Sequence, residues 1–242
     1  MHLEKLNLND INNIKLLDGE RVDDLQYEGL KLVQNKNLYC FSNDAVLLCN
    51  FVKAKRTDTI VDLCSGSGVV GILARAKTNA KKVILVEKQK CMYEMCKKSI
   101  ALNNIEATTE ALHCDIKDIV SILGKESVEV VCANPPYYLP NEKKLSNCKD
   151  IDIAKFEIEM NFDDLCLSAS KLLKYGGKFY LVSDSARIAE LITTLKKYGL
   201  EPKVIEFIFT NKKSQKPNHS NVVLIESVKN GKSGAKVFYR VV

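Results

Sequence analysis

A chain of 242 residues with 46% hydrophobic and 27% charged residues, 11 Gly and 5 Pro has the composition of a single large globular core with modest additions, which excludes collagen-like, mucin-like and disordered chains. Its net charge of +6 is mild, compatible with an anionic partner without proving one. No apolar run reaches the roughly 18 to 20 residues that cross a bilayer, and the first ten residues lack the apolar centre of a secretory signal, so a cytoplasmic protein away from membranes is the expectation.

Residues 1–55 read as an N-terminal extension packing on a core that occupies residues 56–242. Within it, Ser42 is placed to cap a helix over Asn43–Phe51, with Asp44 in the first turn where a negative charge meets the helix dipole. From Thr59 onward, strand-sized apolar runs alternate with helical patterns. Strands are predicted at Thr59–Leu63, 82–86, Thr109–His113, Val128–Ala133, 178–183 and 203–209, and helices at 69–77, 89–103, 115–123, 162–175 and 185–198. That alternation predicts a parallel sheet with helices on both faces. Gly176 and Gly177 are expected to end one helix and Gly199 the next. Residues 204–209 and 222–228 are joined only by a polar stretch, so this last pair must be antiparallel and one strand near the sheet edge is reversed.

Nine cysteines without a C-x-x-C pair, and three histidines that do not cluster with them, offer neither a disulfide framework nor a zinc site. The cysteines read as small buried hydrophobes, and no metal is expected.

Four short stretches carry chemistry. In Val61-Asp62-Leu63-Cys64-Ser65-Gly66-Ser67-Gly68, lying where a strand turns into a helix, Gly66 and Gly68 allow a tight turn whose backbone approaches a ligand at a helix N-terminus. Glu87 follows an apolar strand and is placed to accept hydrogen bonds from two ribose hydroxyls, although a solvated strand end reads the same way in isolation. Asp115 follows the next strand and reaches the carboxyl edge of the sheet, or caps the helix after it, or both. In Asn134-Pro135-Pro136-Tyr137-Tyr138, two prolines without N-H donors hold the backbone rigid. The Asn134 amide and the Pro135 carbonyl are left as acceptors suited to a planar NH2 group, with Tyr137 as an aromatic face for a flat base.

Together these residues resemble the motifs of Rossmann-like, class I methyltransferases that use S-adenosylmethionine to methylate amino groups. The resemblance covers roughly residues 38–227. It implies an α/β fold with a mostly parallel seven-stranded sheet and one antiparallel strand. Within that superfamily the chain is similar to the bacterial adenine-N(6) methyltransferases that modify valine tRNA beside the anticodon. The similarity rests on the leader Phe41-Ser42-Asn43-Asp44-Ala45-Val46-Leu47-Leu48, the small N-terminal extension, and the end strand followed by a Lys-Asn-Gly-Lys-Ser-Gly turn.

What the resemblance implies is a cofactor site made of Phe41, Asp44, Asp62, Cys64, Gly66, Gly68, Glu87, Asp115, Ile116 and Asn134, with Phe41 and Asp44 over the methionine end. Asn134, Pro135, Pro136 and Tyr137 would be catalytic, holding the amine in line with the methyl group and needing no general base. Tyr138 would touch the RNA; Lys212, Lys213 and Lys216, in a loop placed beside the base pocket, read either as phosphate contacts or as an ordinary solvated loop. tRNA is the expected partner and the protein a monomer or weak homodimer. Release-factor glutamine methyltransferases use the same Asn-Pro-Pro-Tyr motif, ribosomal RNA guanine methyltransferases are a further alternative, and a non-catalytic RNA-binding module on this fold is the competitor from another class.

Overall fold

A computed structural model describes residues 14–135, 161–209 and 220–242. It opens with a hairpin, β1 (Glu20–Asp24) and β2 (Lys31–Asn35), followed by α1 (Asn43–Phe51). The core then alternates β3 (Thr59–Leu63), α2 (Val69–Thr78), β4 (Lys82–Glu87), α3 (Lys90–Leu102), β5 (Thr109–His113), α4 (Ile119–Leu123) and β6 (Val128–Ala133). After it come α5 (Phe162–Leu172), β7 (Leu173–Asp184), α6 (Ile188–Lys197), β8 (Leu200–Phe209), β9 (Val222–Lys229) and β10 (Lys236–Val241).

β3 to β10 form one sheet in the order β10-β8-β9-β7-β6-β3-β4-β5. β9 runs antiparallel to both of its neighbours, and the other strands are parallel. The reversed strand is therefore the one expected, and the sheet has eight strands where seven were expected. The eighth, β10, lies parallel to β8, with Lys236 beside Val204 and Val241 beside Phe209. A turn through Asn230 and Gly234 carries the chain across, held by the Lys203 ammonium, which donates to the carbonyls of Lys232 and Gly234 at 3.0 and 2.6 Å.

Alternate strand residues face opposite layers. Ile60, Val83, Leu85, Val130 and Tyr180 pack with α1 and α2, while Val61, Ile84, Val131 and Phe179 pack with α5 and α6. β3, β4 and β6 are buried on both faces, which is why they read as continuous apolar runs.

Three helix boundaries differ from expectation for local reasons. The helix expected over 162–175 stops at Leu172, because Leu173 already pairs with Val128. The register then shifts before Val130 meets Lys178, so Gly176 and Gly177 shape an irregularity within β7 and do not end a helix. The helix expected over 115–123 shrinks to α4, since the Asp115 carboxylate accepts the Lys117 N-H at 3.0 Å and closes a turn ahead of it. The helix expected over 185–198 begins as a 3-10 turn at Ser185–Arg187. Gly199, with φ +71°, follows α6 as expected.

The N-terminal hairpin is docked by side chains acting as a strand partner would. The Val33 N-H donates to Ser99 Oγ at 2.9 Å, and the Asn103 side chain accepts from Lys31 N-H and donates to Lys31 O. The part-buried Glu20–Lys98 pair adds an ion pair between the hairpin and α3. Ser42 caps α1 by accepting the Asp44 N-H at 3.3 Å.

Candidate functional site

The carboxyl ends of four strands stop side by side because the register aligns them. Leu63 pairs with Val86 on one side and with Ala133 on the other, and Glu87 pairs with His113. Cys64, Glu87, Asp115 and Asn134, each at or just beyond a strand end, are thereby brought to the rim of one cleft. Its empty space, mouth included, is about 910 Å3. In open α/β sheets this edge is where ligands collect.

Of the expected cofactor residues, Phe41, Cys64, Gly66, Glu87, Asp115, Ile116 and Asn134 line the cleft. Asp44, Asp62 and Gly68 do not, nor does Pro135 of the expected catalytic residues. Asp44 sits in the first turn of α1. Pro135, the residue after Asn134, is buried. Gly68, with φ +92°, is the N-cap of α2, and a Cβ there would lie 2.8 Å from Leu85. Asp62 is fully buried beneath the loop: its Oδ2 accepts the Gly71 N-H at 2.9 Å and its Oδ1 accepts the Cys132 thiol at 3.6 Å. Asp62 thus ties β3 to the first turn of α2. Pro136, Tyr137, Tyr138, Lys212, Lys213 and Lys216 lie outside the described residues.

Glu87 is 7% exposed and is held by backbone amides: Gly66 N-H donates to Oε2 at 2.8 Å and Gln89 N-H to Oε1 at 2.7 Å. Burial outweighs these bonds and pushes its carboxyl up to about 7. Asp62 is pushed up to about 7 as well, again chiefly by burial, with the Gly71 and Cys132 bonds opposing. Folding therefore costs stability once both acids ionise. That cost is absent below the ordinary carboxylate range and grows as pH rises toward 7.

Asp115 behaves in the opposite sense. Burial works upward on it, but the Lys117 amide and the Lys88 ammonium, 3.0 Å from its Oδ2, hold it below the usual carboxylate range. Cys64 adopts φ +60°, a left-handed conformation that glycine takes more readily. Burial, followed by Glu87, Asp62 and Asp115, raises its thiol well above the ordinary value, so it stays protonated and is a poor nucleophile.

The lining also includes residues that the sequence reading passed over: Tyr39, Ser65, Ser67, Val69, Val70, Val86, Lys88, Gln89 and Met92. Tyr39 comes from the segment after the hairpin, and Ser67 is reached from β2 by Gln34, whose amide donates to Ser67 Oγ at 3.4 Å. Gln89 stands two residues past Glu87 and Met92 one helical turn further, a spacing that marks both once the strand end is located. Among the described residues, no group of His, Cys, Asp and Glu is arranged to hold a metal ion, and no helix is long and apolar enough to cross a membrane.

Residues 40–198 match the family described as methyltransferase small domain. A tRNA1(Val) (adenine(37)-N6)-methyltransferase of Pseudoalteromonas translucida is 24% identical over 162 residues, 66% of either chain. A release factor glutamine methyltransferase of Clostridium botulinum is 29% identical over 126 residues, 52% of this chain and 42% of that one. Among solved structures, a protein of Agrobacterium tumefaciens described as a predicted O-methyltransferase superposes with a TM-score of 0.59 at 24% identity, covering 82% of this chain and 85% of that one.

Proposed function

Because the chain belongs to the methyltransferase small domain family, we propose that it transfers a methyl group from S-adenosylmethionine to the exocyclic amine of an adenine in tRNA, with valine tRNA next to the anticodon as the first substrate to try. The observation that carries this reading is the alignment of Glu87 at the end of β4 with Asn134 at the end of β6, on one cleft.

The lining fits that cofactor. Apolar walls from Val86, Met92 and Ile116 suit a flat base, and Glu87 supplies buried acceptors for ribose hydroxyls. Gly66 has only the Met92 methyl within 4 Å of where a Cβ would sit, so the space beside its backbone is open. When bound, S-adenosylmethionine supplies an electrophilic methyl group. Asp115 and the residue after it, Ile116, would hold the adenine edge. Phe41 would cover the opposite end of the cleft.

Toward the acceptor base, the Asn134 side-chain amide and the Pro135 carbonyl would accept the two hydrogens of the amine and fix its lone pair toward the methyl group. Positioning of this kind supplies most of the rate, and no general base is assigned, since a methylated amine releases its proton to water readily. Tyr137 and Tyr138 would stack against the base, and Lys212, Lys213 and Lys216 would meet phosphates, making binding salt-sensitive.

What favours tRNA over a release factor is the extent of the likeness. The tRNA methyltransferase relative is spanned over 66% of its length, the glutamine methyltransferase relative over 42%. Incubation with isotope-labelled S-adenosylmethionine, unmodified bulk tRNA and, separately, a release factor tests the choice by mass spectrometry of the digests. The expected product is N6-methyladenosine. Asn134→Ala is expected to lower its formation by roughly 10^2-fold or more while S-adenosylhomocysteine affinity changes little. Label in glutamine would transfer the reading to a protein substrate, and undiminished transfer by Asn134→Ala would remove the role given to that residue.

A further inference from the structure

The two outermost strands of the sheet are finished differently. On one side stands β5, whose only exposed residue is His113. On the other stands β10, exposed at every position and with no strand on its outer side among the described residues. Eight large hydrophobic side chains are exposed among the described residues, and five of them, Val237, Phe238, Tyr239, Val241 and Val242, lie in this one run at 49 to 77% exposure. Outermost strands are ordinarily guarded by charge, because their unpaired N-H and C=O groups template a further strand. Here the guard is tied down: the Arg240 guanidinium donates to both carboxylate oxygens of Glu206, at 3.0 and 2.8 Å. The strand is fixed in place as well, by Lys203 on the turn before it and by the Val242 N-H, which donates to the Phe209 carbonyl at 2.9 Å.

Charge decides what fits against such a strand. When a strand pairs with a second copy of itself about a two-fold axis perpendicular to the sheet, every residue keeps its face, so odd residues oppose odd and even oppose even. Centring the pair on Phe238 sets Lys236 against the partner's Arg240, and centring it on Arg240 sets two arginines against each other. Like charges directly opposite are destabilising. Centring on Val237 runs the pairing back into the turn, with Arg240 facing Gly234 of the partner subunit. Centring on Tyr239 avoids all three faults. Tyr239 then meets the partner's Tyr239 and Val237 the partner's Val241 on one face, while Phe238 lies opposite the partner's Arg240 on the other.

We propose that β10 is the interface of a homodimer: two copies pair antiparallel through β10, centred on Tyr239, into one sheet of sixteen strands, eight from each. The inference goes beyond the methyl-transfer reading and does not depend on it. Because strand direction reverses, the two clefts open in opposite directions along the strands, and neither copy covers the other's. A lone strand pair is at the small end of protein interfaces, so the dimer is weak, with a Kd of roughly tens of micromolar.

The test is sedimentation equilibrium of the full chain from about 1 to about 300 µM. Wild type is expected to pass from monomer to dimer across that range. Val237→Lys is expected to weaken association about tenfold or more, and adding Val241→Glu to recover it to within about threefold of wild type, because lysine and glutamate then oppose each other in the register centred on Tyr239. Tyr239→Ser, also expected to weaken association about tenfold, gives a second comparison if Val237→Lys fails to fold. Wild type that stays monomeric across the range, association that grows beyond a dimer, or a dimer that both Val237→Lys and Tyr239→Ser leave intact would overturn the proposal. Failure of Val241→Glu to restore a dimer that Val237→Lys has weakened would overturn the pairing centred on Tyr239. Monomeric wild type whose binding of bulk tRNA falls with Tyr239→Ser would assign the strand to nucleic acid instead.

Discussion

Two acids beneath the cleft and two toward the far edge of the sheet are held in opposite ways. At the β3–β4–β5 end, Asp62 and Glu87 are buried and take their hydrogen bonds from backbone amides and a thiol. At the β7–β9–β8–β10 end, acids are paired with cations: Glu226 with Lys178 at 2.9 Å and Glu206 with Arg240 at 2.8 Å. The first arrangement lowers the stability of the free protein, since burial pushes both carboxyls up. The second pairs each shielded carboxylate with a half-exposed cation that neutralises it. The costly pair, Asp62 and Glu87, is the one at or beneath the cleft.

The sharpest test of that contrast is overpacking beneath the cleft. A Cβ at Gly71 would lie 2.2 Å from Leu85 Cδ2 and 3.2 Å from the Asp62 carboxylate, in a fully buried contact between α2 and β4. Gly71→Ala is expected to reduce unfolding free energy by about 2 to 3 kcal/mol, measured by denaturant titration. At the other end, Tyr239 on β10 is 77% exposed. Tyr239→Ser is expected to change stability by about 0.5 kcal/mol or less in the same titration. Comparable losses from both substitutions would erase the distinction between the two regions.

Most of the fold was legible because parallel strands buried on both faces leave an unambiguous apolar run, as Thr59–Leu63 and Val128–Ala133 do. What escaped lacks such a pattern. β1 and β2 are held by the side chains of Ser99 and Asn103, a tertiary arrangement that no local periodicity announces. β10 is exposed along its whole length, so no buried apolar run marks it, and the strand before the glycine turn reads as the end strand. Acids at strand ends were legible for the same reason the strands were: Glu87 and Asp115 each stand just where an apolar run stops. Asp62 was legible as part of a motif, but its task was not. Only the three-dimensional contact with Gly71 shows that it braces the loop from below.

The central claim, that Glu87 receives a nucleoside ribose, is tested most directly by titrating S-adenosylhomocysteine into the protein by calorimetry at pH 6 and pH 8. In the free protein burial holds the Glu87 carboxyl near 7, so its ionised fraction rises about tenfold between those values. Ribose hydroxyls donate to the ionised form, so affinity is expected to rise by up to about tenfold from pH 6 to pH 8, with proton release on binding, and Glu87→Gln is expected to bind weakly at both. Affinity that is independent of pH, or unaffected by Glu87→Gln, would contradict the assignment.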